Sequence, residues 1–450
     1  MSENTATIED TGHPSRKESI PGPFIRFCKR LLLAALVAYT LVHDVIPAVT
    51  AVTSDFPTYF TSAKMVLEGQ DGAKLFDGPW FRAQMRRYGL GFPSDAIIFP
   101  PYPPPTALLL VPLAGLPPLT ALRVLTALNV LCLVCSMLLL RKIFNWRLVD
   151  AALFVLLSGH ALTAGLRYGH PYILISTLCM LGYYFHLKGR PLLAGLCLGV
   201  FVPIKYWPVS ILAAFALRRQ WRVVLGGGLA VAAVALVSIG VLGWEVHRIF
   251  LTDVVFDHLS GHQVSLLPHS AQAQSFDELF ARLFVLDPLQ NPDPWVALGP
   301  LPRALALASM KGLLVLAAAI ALVKLARSSA ASAIAPAIGI LGILMFLLVP
   351  GSGTYACALL WLPVALLIDH FRSEGARAQA VLILGLYALI GFIPYGHLNP
   401  FEGRGTLSVL AFPRLFLLLA MFVVCIHTVL RLSKRHVASF RPISPLAHLP

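Results

Sequence analysis

Long apolar runs separated by short polar intervals set the pattern of this chain, and the intervals hold most of its charge. The first run spans Leu31 to Thr53. Others follow at about 119–140, 149–162, 170–187, 191–203, 206–217, 223–243, 303–325, 333–350, 354–370, 378–395 and 411–431. A membrane-crossing helix needs roughly 20 mostly apolar residues. The pattern therefore predicts an all-α polytopic membrane protein with about twelve transmembrane helices, some of them short half-helices.

Basic clusters orient the bundle. Arg141/Lys142/Arg147, Lys188/Arg190, Arg218/Arg219/Arg222, Lys324/Arg327, Arg372/Arg377 and Arg431/Lys434/Arg435 fall on alternate connections, all on one side under this count. Cytoplasmic loops are the ones rich in Lys and Arg, so both termini are expected in the cytoplasm. Two larger loops, 54–118 and 244–302, are expected outside. Residues 1–25 read as a disordered cytoplasmic tail, 26–435 as one transmembrane domain and 436–450 as a second tail. Arg26, Lys29 and Arg30 precede a run too long for a signal-peptide core, which predicts an uncleaved first span.

Composition sharpens this in one respect. The 450 residues are 57% hydrophobic and 12% charged, against about 25% charged in soluble chains. The net charge of +14 then reflects loop bias, and nucleic acid is not an expected partner. All seven cysteines lie in or beside apolar runs, so no disulfide framework is expected. Cys132 and Cys135 have CxxC spacing without His or acidic companions, which favours packing over a metal site.

Several polar residues break the apolar pattern. In "AVTSDFPTYF", Asp55 stands where the first run stops. Ser54 or Asp55 could cap a following interfacial, amphipathic helix over Phe56–Gly69, or Asp55 could be a general base at the membrane surface. The string "FPPYPPPTALLLVPLAGLP", Phe99–Pro117, cannot be regular helix and reads either as a rigid wall leading into a short helix or as a linker. Arg167 in "LRYGHPYILI" lies on a predicted outer turn, against the charge trend, and suits a phosphate or a lipid headgroup.

Lys205 sits in "PIKYWP", between two apolar segments too short to span. It lies 13 residues before Arg218, roughly 20 Å along a helix, and cannot snorkel back. A hairpin of half-helices would deliver it into a protein cavity; Tyr206 and Trp207 leave an interfacial anchor as the alternative. His247, His258, His262 and His269 crowd the second large loop, and "HLSGH" has i, i+4 spacing, but Ser260 and Gly261 weaken a helical metal site. Gly226–Gly228 lacks the Lys-Ser/Thr of a phosphate loop and suits close helix packing. No nucleotide-binding fingerprint or internal repeat appears, which points to a lipid-borne substrate. A transporter would place ionisable groups mid-span; a non-catalytic assembly scaffold is the third reading.

The motifs "SDFPTYFTSAKMVLEGQDGAKLFD", "FPPYPPPTALLLVPLAGLP", "RYGHPYILISTLCMLGYY", "GRPLLAGLCLGVFVPIKYWPVSILAAFALRRQWR", "AQSFDELFARLF" and "VPGSGTYACALLWLP", in that order, resemble glycosyltransferase family 87. This is a family of polytopic C-type (GT-C) transferases that includes polyprenol-phosphate-mannose-dependent alpha-mannosyltransferases of bacteria. The resemblance covers about residues 30–370. It implies a GT-C-like bundle in the bacterial plasma membrane, with a cavity open to the outer leaflet. It further implies a polyprenyl-phosphate sugar donor, mannose by default, and an envelope glycolipid or glycan acceptor. Asp55 would be the catalytic base of an inverting transfer, with Lys205 and Arg167 at the departing phosphate and His170 and Tyr355 touching sugar or phosphate. Neither a nucleotide nor an obligatory metal or other cofactor is implied. The chain departs from the family at Gly169-His170, often Gly-Gln, and at Tyr355-Ala356, where a His or a Tyr-Asp pair is usual.

Overall fold

A computed structural model describes residues 22–53, 55–90, 99, 102–256, 273–326, 333–351, 353–393 and 400–439. Its helices, in chain order, are α1 (Pro23–Thr50), α2 (Phe56–Leu67), α3 (Gly78–Arg87), α4 (Pro118–Phe144), α5 (Leu148–Leu156), α6 (His160–Leu166), α7 (Tyr172–Leu187), α8 (Pro191–Gly199), α9 (Val209–Leu217), α10 (Trp221–Leu242), α11 (Trp244–Ile249), α12 (Phe276–Phe284), α13 (Pro300–Ala326), α14 (Ile334–Leu348), α15 (Thr354–Ser373), α16 (Arg377–Phe392) and α17 (Pro413–Ser439). Among the described residues the extended pairing is limited to an isolated bridge, Asp287 to Asn291.

Among the described residues six helices are long and apolar enough to cross a membrane: α1, α4, α10, α13, α15 and α17. That is fewer than the twelve or so runs in the sequence. The run at 149–162 breaks at Gly159 into α5 and α6, bent by 85°, and this pair would make a seventh span. Gly159 has φ +51°, and a Cβ there would stand 2.3 Å from the Gly391 carbonyl oxygen of α16. A side chain has no room, so the chain turns where the apolar pattern runs on. The other apolar runs form α7, α8, α9, α14 and α16, of 16, 9, 9, 15 and 16 residues, short of the ~20 a span needs. Hydropathy counts apolar residues but does not register where the backbone turns.

Burial sorts the helices into layers. In α15 78% of the apolar window is buried, against 22% in α1 and 17% in α13. α15 is the central post. α1 and α13 present Leu31, Leu32, Leu313 and Leu316 outward, as lipid-facing helices do. A second, smaller core gathers Phe56, Tyr59, Phe60, Phe81, Phe99 and Leu122, so α2 is buried on nearly every side. The expected amphipathic helix at an interface is instead an interior helix.

α8 and α9 form the hairpin of short helices that the two prolines of "PIKYWP" foretold, with Lys205 in the connection. The closest packing in the molecule fastens α8 to α10. A Cβ on Gly195 would lie 2.0 Å from the Val223 carbonyl oxygen, one on Gly199 2.3 Å from that of Gly227, and one on Gly226 2.4 Å from that of Leu192. Such small-residue faces let helix backbones touch where apolar side chains gain nothing by leaving lipid.

α12 is seated by charges. Ser275 accepts the Glu278 N–H at its N-terminus and donates its hydroxyl to the Pro350 carbonyl. Lys311 bonds Asp277 at 2.6 Å and Arg282 bonds Glu402 at 3.0 Å. Glu278 is 7% exposed, and burial, then the adjoining Asp277, pushes its carboxyl up to about 7. An acid whose folded value lies above its unfolded one binds the extra proton only when folded. The stability it adds is therefore complete below about pH 4.5 and is lost as pH rises through 7. Glu278→Gln is expected to raise the melting temperature at pH 8 and leave it unchanged at pH 5, with at most about 3 kcal/mol involved. Equal shifts at both pH values in detergent melts would refute this.

Candidate functional site

Asp55 occupies the N-cap position of α2 without capping it: its side chain makes no bond to the helix N–H groups. Pro57 lies in the first turn, where a missing N–H costs nothing. The carboxylate instead meets His170, Oδ2 to Nε2 at 2.9 Å, across 115 residues of chain. The side chain of Asp55 stays 39% exposed while that of His170 is 2% exposed. The acid is thus held by protein on one edge while much of its side chain stays accessible.

The His170 loop is built to reach that point. It joins α6 to α7, and the last carbonyls of α6, which have no partner inside the helix, are taken by α4: Thr126 bonds the Leu166 oxygen at 3.0 Å and Asn129 the Gly165 oxygen at 2.7 Å. Gly169 turns the chain at φ +74°, and a Cβ there would stand 2.9 Å from the Phe56 ring. His170 follows, its N–H on the Ala164 carbonyl at 3.1 Å. A glycine is required twice over at 169, for the backbone angle and for the approach to α2.

Both ring nitrogens of His170 are engaged. Nδ1 lies 3.0 Å from the Tyr59 hydroxyl, one helical turn beyond Asp55. An ionised carboxylate only accepts, so Nε2 carries a proton and donates it to Asp55. In the neutral ring Nδ1 then accepts from Tyr59. Burial holds the Tyr59 phenol well above its usual value, as it does that of Tyr102, so both stay neutral hydroxyls. This order fixes the ring's tautomer and the direction in which Asp55 points.

An aromatic wall backs the pair. The Tyr355 ring stacks on His170, centroids 4.8 Å apart and planes at 9°, and Tyr172 lies 5.4 Å from Tyr355 at 26°. Gly353 makes room for this: a Cβ there would fall 2.2 Å from the Tyr355 ring. Tyr102, from the proline string, stands 5.1 Å from Tyr59. Pro104, Pro105, Thr106 and Ala107, next in that string, are buried, which makes it a wall of the structure and not a loose linker.

Lys205 closes the far side. Its Nζ lies 4.4 Å from the centre of the Tyr102 ring and 5.4 Å from that of Tyr172. Burial pushes the ammonium down to about 8, and the Asp55 carboxylate partly offsets this. Trp207 is buried, at 5% exposure, while Tyr206 between it and Lys205 is 46% exposed. Asp55, His170, Lys205 and Tyr355, singled out along the chain, thus meet at one place.

Arg167 does not join them. Its guanidinium lies over the Tyr168 ring at 5.7 Å and within electrostatic reach of Asp44 in α1. Asp44, 1% exposed within a π-helical turn at Leu41–Val45, was missed along the sequence. An acid inside an apolar run was the available signal. Tyr59, Tyr102 and Tyr172 were missed too, because a tyrosine beside an apolar run reads as an interface residue. His258, His262 and His269 fall outside the described residues. Among the described residues no three His, Cys, Asp or Glu side chains are grouped as metal ligands.

The arrangement suits proton removal beside a developing anion. A carboxylate held by His170 and still 39% exposed can take a proton from a hydroxyl, and a half-buried ammonium over aromatic rings can receive negative charge. Comparison with known families matches the profile of glycosyltransferase family 87 to residues 99–350. The match includes Tyr102, Arg167, His170, Tyr172 and Lys205; Asp55 and Tyr59 precede it and Tyr355 lies just beyond. Comparison with curated proteins gives no match. With more than half of its length matched and its long helices apolar enough to cross a membrane, the chain belongs to glycosyltransferase family 87 and is a membrane-embedded glycosyltransferase.

Proposed function

We propose that the protein moves a sugar, mannose by default, from a polyprenyl-phosphate donor to a hydroxyl of an envelope glycolipid or glycan, on the extracytoplasmic side of a bacterial plasma membrane. The observation that supports this best is the aromatic cluster that Asp55 and Lys205 share, an acceptor for a proton within electrostatic reach of a partner for a phosphate. The acceptor hydroxyl gives its proton to Asp55 as its oxygen bonds to the anomeric carbon. The bond from that carbon to the phosphate oxygen breaks, and its electron pair leaves with polyprenyl phosphate. Attack opposite the leaving group inverts the anomeric centre.

The side chains divide the work. Asp55 receives the proton, and His170, with both nitrogens engaged, aims Asp55 instead of contacting the sugar. Tyr355 braces His170. Lys205, in the connection between the half-helices α8 and α9, compensates the charge on the departing phosphate. Arg167, with Asp44 beside it, guides the donor from further out. The chemistry given needs no nucleotide or metal. Counted over all twelve apolar runs, the basic clusters favour cytoplasmic termini with Asp55 on the opposite side.

Incubating the purified protein with labelled polyprenyl-phosphate mannose and membrane lipids, beside labelled sugar nucleotide, tests the reading. Label should reach lipid from the first donor alone; transfer from the nucleotide would refute the donor class. Lys205→Ala is expected to lower transfer about 10²-fold, the scale of losing one charge-stabilising group, with Lys205→Arg keeping part of it. Equal rates in all three would reduce Lys205 to a structural residue.

A further inference from the structure

Lys205 is a half-buried ammonium that lies over two ring faces. Tyr102 covers it at 4.4 Å and Tyr172 at 5.4 Å. The two rings come from unrelated places, one from the proline string and one from the first turn of α7, and no local sequence pattern would pair them. Tyr172 is buried, at 5% exposure, and stacked on Tyr355; Tyr102 is half-buried, its ring packed against Tyr59 and Phe99, so both rings are held.

We propose that Tyr102 and Tyr172 are positioning residues that hold Lys205 in place, and as a cation, for the phosphate of the incoming lipid donor. This rests on the reading of Lys205 as the phosphate's partner. A ring face attracts a cation through its quadrupole, and unlike a carboxylate it brings no net charge. A second carboxylate beside Lys205 would also keep it protonated, but would repel the donor phosphate. Ring faces supply the attraction without that repulsion, and release the ammonium when a full negative charge arrives. The proline string, whose residues 104–107 are buried, keeps Tyr102 from yielding.

The ionisable groups sharing this space are Asp55, Tyr59, Tyr102, His170, Tyr172, Tyr206 and Tyr355. Tyr59 and Tyr102 stay neutral through the working range, and Asp55 supplies a countercharge. The ammonium titrates at about 8, so affinity for a phosphate should fall as pH rises through that region. Loss of a ring face moves the fall to lower pH.

The test is binding of a short-chain polyprenyl phosphate to the full-length purified protein between pH 6.5 and 9.5, which needs neither the sugar nor the acceptor to be known. Residue 102 is replaced by phenylalanine and by phenylalanines carrying one, two and three fluorines, which weaken the ring face at nearly constant size. Phenylalanine, which keeps the ring face but loses the hydroxyl's bond to Tyr59, is the reference of the series. Each fluorine should weaken binding at pH 8 by a further two- to threefold and shift the alkaline fall downward, by about half a pH unit or more over the series. The phosphate's own ionisation is common to all variants. Tyr102→Leu, if it folds, should bind at least tenfold more weakly. A flat fluorine series with Lys205→Ala impaired overturns the ring-face proposal alone. Unchanged binding by Lys205→Ala overturns it together with the role of Lys205.

Discussion

Asp55→Asn is expected to insert and melt like the wild type while its transfer rate falls by about 10³-fold, within the 10²–10⁴ that a general base contributes. Asparagine has the carboxylate's shape and still accepts the His170 N–H that now reaches Oδ2 at 2.9 Å, so the wall of His170, Tyr355 and Tyr172 should stay in place. What it lacks is a site for the acceptor's proton. Donor binding should therefore change little and the loss should sit in kcat. His170→Gln separates aiming from proton transfer: glutamine can donate one hydrogen bond but not span Asp55 and Tyr59 with a rigid ring. A loss of about tenfold is expected there, with an altered pH profile. Transfer by Asp55→Asn within tenfold of wild type would remove Asp55 from the role of base.

Gly195→Val is expected to leave little folded protein. Its Cβ would already lie 2.0 Å from the Val223 carbonyl oxygen and 2.6 Å from the Gly227 nitrogen. Those are backbone atoms, which cannot rotate aside, so α8 and α10 must separate. Ordinary overpacking costs about 1–3 kcal/mol; parting two backbones and reopening the Gly199 and Gly226 contacts should reach or exceed the upper end. Gly228→Ala is the control. Nothing lies within 4 Å of a Cβ there, and alanine gains roughly 1 kcal/mol of helix propensity over glycine, so this variant should be as stable as wild type or more so. Yield and melting temperature in detergent read the contrast. Because α8 leads directly into the Lys205 connection, any surviving Gly195→Val protein should also bind polyprenyl phosphate poorly. Equal stability of the two variants would show that the close packing does not hold the hairpin.

Along the chain, the helical nature and the membrane setting were legible because both follow from local composition. An apolar run of span length is visible as such, and α4, α10, α13 and α17 lie close to where the runs predicted them. The prolines around Lys205 announced a break, and the glycine triplet announced close packing, since each acts through its own backbone. The other breaks within and between the apolar runs were not legible. Five apolar runs are helices of 9 to 16 residues, and a buried short helix has the same hydropathy as a piece of a span. Gly159 bends one run because Gly391 presses on it, a contact between residues more than two hundred positions apart.

For the candidate site the division is similar. Asp55 and Lys205 stood out as polar residues that their surroundings did not explain, and His170 and Tyr355 through the likeness to a family. Their identities are written in the sequence, as are the glycines at 169 and 353 that give His170 and Tyr355 room. What each touches was decided by the tertiary structure. Asp55 reads as a helix cap by position, yet its carboxylate turns to a histidine 115 residues away. Arg167 reads as a phosphate ligand by its neighbourhood, yet it lies over Tyr168 and toward Asp44. Local pattern reports which side chains are apolar and where the backbone can bend. Pairing across the fold depends on helix angles and close approaches set by packing over the whole chain, and there Tyr59, Tyr102 and Tyr172 became the walls around an acid and an ammonium.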